Sequence, residues 1–283
     1  VLLVQNYQIP EVQDLADFLG DSLGLSQQAA ETDADVIVFC GVHFMAQTAK
    51  LVCPDKTVLM PDASAGCPMA DMITGEGLVE FKREHPGAPV VTYVNSTAEV
   101  KAESDICCTS ASSVRIVQSL DAERIIFVPD HFLGQWTEAQ VPETEFILWG
   151  GFCPTHVAIT VELVEEARRE HPDAVFICHP ECRPEVTEIA DAVLSTGGMV
   201  KFAAEEEARE VILGTEEGIA YRLAQENPDK DFFTLPGITC PNMKKTTAEK
   251  VVRCLEDMAP TIEIEPEIAD RARAAVEAML AVG

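Results

Sequence analysis

The sequence predicts an α/β fold of three similar three-layer αβα domains, whose parallel sheets are arranged about a pseudo-threefold axis. Two observations lead to this prediction. Apolar runs of four to seven residues alternate with helical segments, which is typical of parallel strands buried on both faces. The same order of runs and helices then recurs three times with a period of about 86 residues, which indicates an internal repeat.

The first repeated signature is a Glu-Val pair. It lies in PEVQDLADFLGDS, AEVKAESDICCTS and PEVTEIADAVLST, which begin at Pro10, Ala98 and Pro184. In each copy an Asp follows the Glu by six residues and a hydroxyl residue follows it by eleven. These hydroxyl residues are Ser22, Ser110 and Thr196.

The second signature is a Cys-Pro pair that runs in phase with the first. The pairs begin at Cys67, Cys153 and Cys240, and seven residues after each Cys stands a Thr, with a Glu two residues further on. These threonines are Thr74, Thr160 and Thr247. A Thr before an acidic first turn is typical of a helix N-terminus, so each Cys loop predicts a helix behind it.

Within each repeat the elements follow in one order. An apolar run (VLLVQNY, VVTYVN or AVFICHP) predicts the first strand, the Glu-Val segment a short helix, and the stretch up to the hydroxyl residue a brief second strand. A helix leads to the third strand (DVIVFCG, RIIFVPD or EVILGT), and another leads to the fourth (KTVLMPD, EFILWGG or DFFTLPG). The predicted domains are 1–86, 87–172 and 173–260, with one amphipathic helix over 261–283 packed on the body.

The charge balance excludes some partners. The sequence contains 20 Lys and Arg but 48 Asp and Glu, so its net charge is −28. Such a negative charge repels phosphate groups, which argues against nucleic acid and anionic membranes as partners. No apolar run approaches the roughly 18 residues of a membrane span. The opening VLLVQNYQIP lacks a basic region and a cleavage site, so we expect a cytoplasmic protein whose ten cysteines stay reduced.

Reactive residue types gather at the predicted carboxyl ends of the strands, where α/β sheets bind ligands. If the three domains pack about one axis, Cys67, Cys153 and Cys240 meet. A structural zinc site usually takes four ligands, so three thiols are too few for one. They suit a [4Fe–4S] cluster in which one iron has no cysteine ligand. Such an open iron is a Lewis acid, which suits dehydration or condensation. The alternative is that they are buried core thiols.

The other seven cysteines are not expected to be cluster ligands. Those in apolar stretches are predicted to be core residues: Cys40, Cys53, Cys107, Cys108 and Cys254. Cys178 and Cys182 flank the site, but the other two repeats have no counterpart of them.

The segments GVHFMAQTAKLVCPDKTVLMPDASAGCPMADM, YVNSTAEVKA, GTEEG and CPNMKK closely resemble the quinolinate synthase family of NAD biosynthesis. The resemblance covers essentially the whole chain. It implies a three-domain α/β enzyme with a central [4Fe–4S] cluster on Cys67, Cys153 and Cys240. The implied reaction condenses iminoaspartate with dihydroxyacetone phosphate to quinolinate, with loss of phosphate and water, and an aspartate oxidase or dehydrogenase would supply the iminoaspartate.

The resemblance also implies roles for individual residues. Glu181 corresponds to the general acid/base, with Tyr7 and His179 as the other catalytic residues. The substrate-binding residues implied are Gln5, Ser22, Tyr93, Asn95, Ser110, His156, Ser195 and Thr196. Gln5 departs from the family, which has His there, and Gln can donate a hydrogen bond but can neither carry charge nor move a proton at neutral pH.

Two other functions stay open from the sequence. One is an aconitase-type hydratase acting on another di-acid, with the same cluster chemistry. The other is an iron–sulfur sensor or electron carrier, which would typically use four cysteines. A fourth thiol ligand among Cys107, Cys178 and Cys182 would favour the latter.

Overall fold

The computed structural model describes residues 1–282, and this part of the chain contains three parallel four-stranded sheets. The first sheet holds β1 Leu2–Gln5, β2 Phe18–Gly20, β3 Val36–Cys40 and β4 Thr57–Leu59. The second holds β5 Val90–Tyr93, β6 Ile106–Cys108, β7 Arg124–Val128 and β8 Glu145–Leu148. The third holds β9 Val175–Cys178, β10 Ala192–Val193, β11 Glu210–Gly214 and β12 Asp231–Thr234.

Each sheet has the same strand order. The orders β2-β1-β3-β4, β6-β5-β7-β8 and β10-β9-β11-β12 place the first and third strands of every repeat at the centre. All pairs are parallel. The central strands are the most apolar, and β7 is fully buried from Ile125 to Val128, because helices cover both faces of the sheet. The predicted three similar αβα units are confirmed.

The helices follow the predicted order. In the first repeat they are α1 Pro10–Gln13, α2 Ser22–Glu31, α3 His43–Val52 and α4 Gly75–Glu84. In the second they are α5 Ala98–Ala102, α6 Ser113–Ser119, α7 His131–Gln140, α8 Pro154–Val157 and α9 Val161–Glu170. The third contains α10 Pro184–Thr187, α11 Thr196–Glu205, α12 Ile219–Glu226 and α13 Ala248–Asp257, and α14 Pro266–Val282 ends the described chain.

The predicted caps behind the Cys loops are present. Thr74, Thr160 and Thr247 are the N-caps of α4, α9 and α13, and each side chain accepts a hydrogen bond from the backbone N–H three residues on. Each cap satisfies one of the N–H groups that a helix start leaves without a partner.

The helix behind each Cys loop packs on the sheet of the next repeat. Leu78 of α4 lies in a cluster with Val90 and Ile126 of the second sheet. In the same way α9 packs on the third sheet, and α13 returns to the first, where Val251 and Cys254 pack against Val4, Val12, Val38 and Leu59. The apolar core of each sheet is therefore completed by a helix from another repeat.

The C-terminal helix begins later than the sequence predicted. Thr261 pairs with Leu59 in an isolated bridge, and α14 starts only at Pro266. Proline fixes the backbone angle of a first helical turn, and it disfavours a helical residue before it. The helix packs on α5, β6 and α3 through Ala272, Ala275, Val276 and Met279. Within residues 1–282, no helix is long and apolar enough to cross a membrane.

Candidate active site

One solvent-open cleft, with about 1000 Å³ of empty space when the solvent at its mouth is included, collects the carboxyl ends of strands from all three sheets. It is lined by thirteen of the fourteen predicted site residues: Gln5, Tyr7, Ser22, Cys67, Tyr93, Asn95, Ser110, Cys153, His156, His179, Glu181, Thr196 and Cys240. The exception is Ser195, whose Oγ accepts a hydrogen bond from the N–H of Gly198 (3.1 Å) as the cap of α11. The repeat thus brings residues up to 235 positions apart into one cavity.

Three cysteines line this cleft, and each belongs to a loop after the fourth strand of a repeat. They are Cys67, Cys153 and Cys240. The other seven cysteines of the described chain do not line it, and all of them are buried.

The thiols are close enough to affect one another. The pKa of Cys67 is raised to about 12, mainly by burial; Glu181 and Cys240 contribute to the rise, and backbone N–H groups of Ala70 and Met69, which donate to its sulfur, oppose it. Burial, Glu181 and Cys67 likewise raise the pKa of Cys153 well above its usual value. Buried thiols beside a carboxylate ionise readily only when they bind a cation.

Glu181 is the centre of the polar groups in the cleft. Its Oε1 accepts from the Tyr93 hydroxyl (2.6 Å) and the Asn95 amide (3.4 Å), and its Oε2 lies 2.7 Å from His156 Nδ1. Burial raises the pKa of Glu181, but His156, His179 and the Tyr93 hydroxyl together lower it by more, so the net shift is downward. The side chain is therefore an ionised, buried carboxylate at neutral pH.

A chain of hydrogen bonds leads from Glu181 to the third sheet and the first. His156 bridges the carboxylate and Thr215, since its Nε2 lies 2.9 Å from Thr215 Oγ1. Thr215 Oγ1 is 2.7 Å from the Tyr7 hydroxyl, which is 2.8 Å from Thr196 Oγ1. Thr215 is fully buried, and sequence reasoning missed it because a threonine at the end of an apolar strand carries no distinctive signal.

His179 forms a second branch. Its Nε2 lies 3.2 Å from Ser110 Oγ, its Nδ1 lies 3.9 Å from Glu181 Oε2, and its ring stacks on that of His156 at 4.7 Å between centroids. Burial lowers the pKa of His179 to about 3, against the opposing effect of Glu181. His179 is therefore neutral at physiological pH.

The helix ends near the predicted hydroxyls already have an anionic partner. Asp21 Oδ1 caps α2 by accepting from Gly24 N–H (2.9 Å), and its Oδ2 accepts from Gly197 N–H (3.1 Å) in the first turn of α11. Ser22 and Thr196 still line the cleft, but this carboxylate offsets the positive potential of both helix ends.

Glu216 holds the loop of Cys240, a role that the sequence did not reveal although the GTEEG segment contains it. Its Oε1 accepts from Cys240 N–H (3.0 Å) and pairs with Lys244 Nζ (2.8 Å). Lys244 also donates to the carbonyl of Tyr7 (2.7 Å). A Cβ at Gly218 would lie 2.7 Å from this same carbonyl, so only glycine fits there.

Asp130 occupies the equivalent position in the second repeat, two residues after the third strand. Its Oδ1 accepts from Leu133 N–H (2.7 Å) and caps α7. Burial raises its pKa well above the usual value, Glu181 adds to the rise, and the N–H groups of Leu133 and Cys153 oppose it. In two of the three repeats a buried carboxylate therefore accepts a hydrogen bond from the cysteine loop: Glu216 from Cys240 N–H and Asp130 from Cys153 N–H.

These features define an α/β enzyme whose thiols and acid–base groups meet at the carboxyl ends of three parallel sheets. The sequence model of the family described as "Quinolinate synthetase A protein" matches residues 1–281. A quinolinate synthase of Pelobacter propionicus is 54% identical over 283 residues, which is all of this chain and 93% of that protein. The quinolinate synthase of Geobacter metallireducens is 53% identical over 283 residues, with the same coverage of both chains. That of Thermodesulfovibrio yellowstonii is 52% identical over 281 residues, which is 99% of this chain and 93% of that protein. The chain belongs to the quinolinate synthetase A family.

Proposed function

We propose that the chain condenses iminoaspartate with dihydroxyacetone phosphate to form quinolinate, releasing one phosphate and two water molecules. The observation that carries this proposal is the meeting of Glu181, two histidines and two tyrosines in the same cleft as three cysteines. An aspartate oxidase or dehydrogenase would supply the iminoaspartate. The relatives are named for quinolinate formation, and a condensation with loss of water needs groups that move protons on and off carbon and oxygen.

We further propose that Cys67, Cys153 and Cys240 hold a [4Fe–4S] cluster. The three thiols line one cleft, and Cys240 affects the pKa of Cys67 as Cys67 affects that of Cys153, so the sulfurs lie near one another. A structural zinc site usually takes four protein ligands, whereas three thiolates suit a [4Fe–4S] cluster with one open iron. Backbone N–H groups of Ala70 and Met69 donate to the sulfur of Cys67, and such hydrogen bonds are typical of cluster cysteines.

When bound, such a cluster supplies an iron with an open coordination site, a Lewis acid that polarises a substrate oxygen. No fourth cysteine of the described residues lines the cleft, which supports an open iron and disfavours an electron carrier.

In this mechanism Glu181 is the general base. Its lowered pKa keeps it ionised, and the Tyr93 hydroxyl and the Asn95 amide fix Oε1, which leaves Oε2 for proton transfer through His156. Once protonated, the same carboxyl returns the proton as an acid when a hydroxyl leaves as water.

The series of hydrogen-bonded side chains that runs from Thr196 to Glu181 conducts protons between the substrate and this base. With Nδ1–H of His156 facing the carboxylate, each hydroxyl can donate to the next in one direction: Thr196, Tyr7, Thr215, then His156 Nε2. The Tyr7 phenol lines the cleft, so a proton taken up there reaches Glu181 without crossing solvent. Gln5, whose Oε1 accepts from the Tyr7 N–H, positions this segment and does not transfer a proton, because an amide does not titrate at neutral pH.

The test is anaerobic purification with iron and sulfide counting, followed by an assay for quinolinate from iminoaspartate and dihydroxyacetone phosphate. We expect about four irons per chain and quinolinate formation that needs both substrates. A matched control is Cys254→Ser, which changes a buried cysteine outside the cleft. Iron-loaded protein that forms no quinolinate from these substrates would contradict the proposed reaction.

A further inference from the structure

A buried lysine stands directly behind the cleft. Lys101 of α5 is fully buried, which is rare for lysine unless a carboxylate pairs with it. Within the described chain no carboxylate lies within ion-pair distance of its Nζ. Burial lowers its pKa to about 8, and Cys107, Glu99 and Cys67 oppose this shift. The side chain is thus mainly charged at neutral pH, without a neutralising partner.

The ammonium group contacts the segment that presents two of the cleft residues. Nζ donates to the carbonyls of Val94 (2.8 Å) and Ser96, which flank Asn95 and follow Tyr93. It also lies 5.7 Å from the centroid of the Phe44 ring, and Phe44 lines the cleft. The charge is therefore separated from the cleft by one aromatic ring and one stretch of backbone.

The first repeat makes the same backbone contacts without a charge. Gln13 is the repeat partner of Lys101, 88 residues earlier, and its Nε2 donates to the carbonyls of Asn6 (3.0 Å) and Gln8 (2.7 Å). Asn6 and Gln8 flank Tyr7 just as Val94 and Ser96 flank Asn95. A neutral amide is thus sufficient to hold such a loop, so loop geometry alone does not explain the buried charge of Lys101.

Two other lysines near the cleft have carboxylate partners, since Lys244 pairs with Glu216 and Lys250 with Asp62, while the exposed Lys245 donates to the carbonyl of Ser64. The helix ends near Ser22 and Thr196 face Asp21. The chain as a whole carries a net charge of −28, which repels anions. An anionic ligand in the cleft needs a compensating positive charge, and Lys101 has no competing carboxylate partner.

We propose that Lys101 is an electrostatic positioning residue, whose fixed charge favours binding of di-anionic ligands in the cleft while its N–H groups hold the Val94–Ser96 segment. This inference deepens the proposed function, because the substrates and product of that reaction carry two or more negative charges. Low-polarity surroundings strengthen the attraction, because the ammonium group of Lys101 is fully buried.

The test is calorimetric binding of quinolinate, a dicarboxylate, and nicotinate, a monocarboxylate, to the holoenzyme and its variants. Lys101→Gln removes the charge and introduces the amide donor that Gln13 uses at the equivalent position of the first repeat. We expect it to weaken quinolinate binding about tenfold or more and nicotinate binding by clearly less. Lys201→Gln, which removes an exposed charge outside the cleft, is the matched control and should change neither affinity.

A second variant carries the test if Lys101→Gln does not fold. Gln13→Lys places an ammonium among three carbonyl oxygens, of Asn6, Gln8 and Gly218, and should tighten quinolinate binding more than nicotinate binding. Unchanged quinolinate affinity in a folded variant, or equal losses for both ligands, would overturn the proposal. Wild-type protein that forms no quinolinate but shows the charge-dependent difference would instead contradict the proposed reaction and leave the role of Lys101 standing.

Discussion

Replacing Thr215 with valine tests the proton path directly. Valine matches the shape of threonine, so the change removes a hydroxyl and little else. That hydroxyl lies 2.7 Å from the Tyr7 hydroxyl and 2.9 Å from His156 Nε2, and no other hydrogen bond is present at this ring nitrogen in the described chain. Tyr7 keeps Thr196 as a partner at 2.8 Å, whereas Nε2 is left buried and unpaired.

The expected costs follow from these contacts. One buried unsatisfied group lowers the free energy of unfolding by about 1–3 kcal/mol. Interrupting the path between Tyr7 and Glu181 removes acid–base assistance, which should lower kcat by about 100-fold or more. KM should change much less, because Thr215 does not line the cleft.

The assay is kcat and KM for quinolinate formation with preparations matched for iron content, beside thermal unfolding. Thr215→Ser keeps the hydroxyl and is the control, so it should retain most of the turnover. A second control is the pair Thr215→Val and Tyr7→Phe, whose effects should be far from additive if both act in one path. Full iron content and near wild-type kcat in Thr215→Val would refute the relay.

Three further predictions concern the metal ligands, the base and an ion pair. Cys153→Ser should lose most iron and activity while Cys254→Ser keeps both, measured by iron and sulfide analysis; equal iron in the two variants would remove Cys153 from the ligand set. Glu181→Gln should lower kcat by about 10²–10⁴-fold with quinolinate binding retained, and turnover close to wild type would exclude Glu181 as the base. Burial raises the pKa of Asp62, but its contacts with Lys250 and Ser64 together lower it by more, so ionised Asp62 stabilises the fold above its unfolded pKa and this contribution is lost as pH falls through the folded value. Urea unfolding should therefore show Asp62→Asn less stable than wild type by up to about 1 kcal/mol at pH 7, with the gap closing as pH falls below the lowered pKa of Asp62; a gap that persists once Asp62 is protonated would contradict the ion pair.

The architecture could be predicted because the same pattern of strands and helices occurs three times in the sequence. A single apolar run such as VLLVQNY is compatible with a strand or a buried helix, whereas three runs in phase, each followed by a Glu-Val helix, favour one arrangement. The same phase placed Tyr7, Asn95 and Glu181 at equivalent strand ends, and the structure brings them into one cleft.

The contacts behind the site could not be predicted, because they depend on how closely the repeats approach. Thr215 meets Tyr7 from 208 positions away, and Glu216 meets the loop of Cys240. Threonine and glutamate are common residues, and nothing in their local spacing distinguishes these two from solvated ones. Lys101 was hidden for a different reason, since a lysine on a short helix ordinarily predicts an exposed face.

The order in which the apolar faces are covered also constrains synthesis of the chain. When the first four strands have left the ribosome, Val4, Val38 and Leu59 still lack the helix that covers them, because α13 is made after the twelfth strand. The corresponding helices of the second and third sheets, α4 and α9, are made just before the strands they cover, although α14 is added to the second sheet after α13. During synthesis, the apolar surface of the first sheet is therefore exposed for the longest time. Chaperone binding should concentrate on the N-terminal third of the chain.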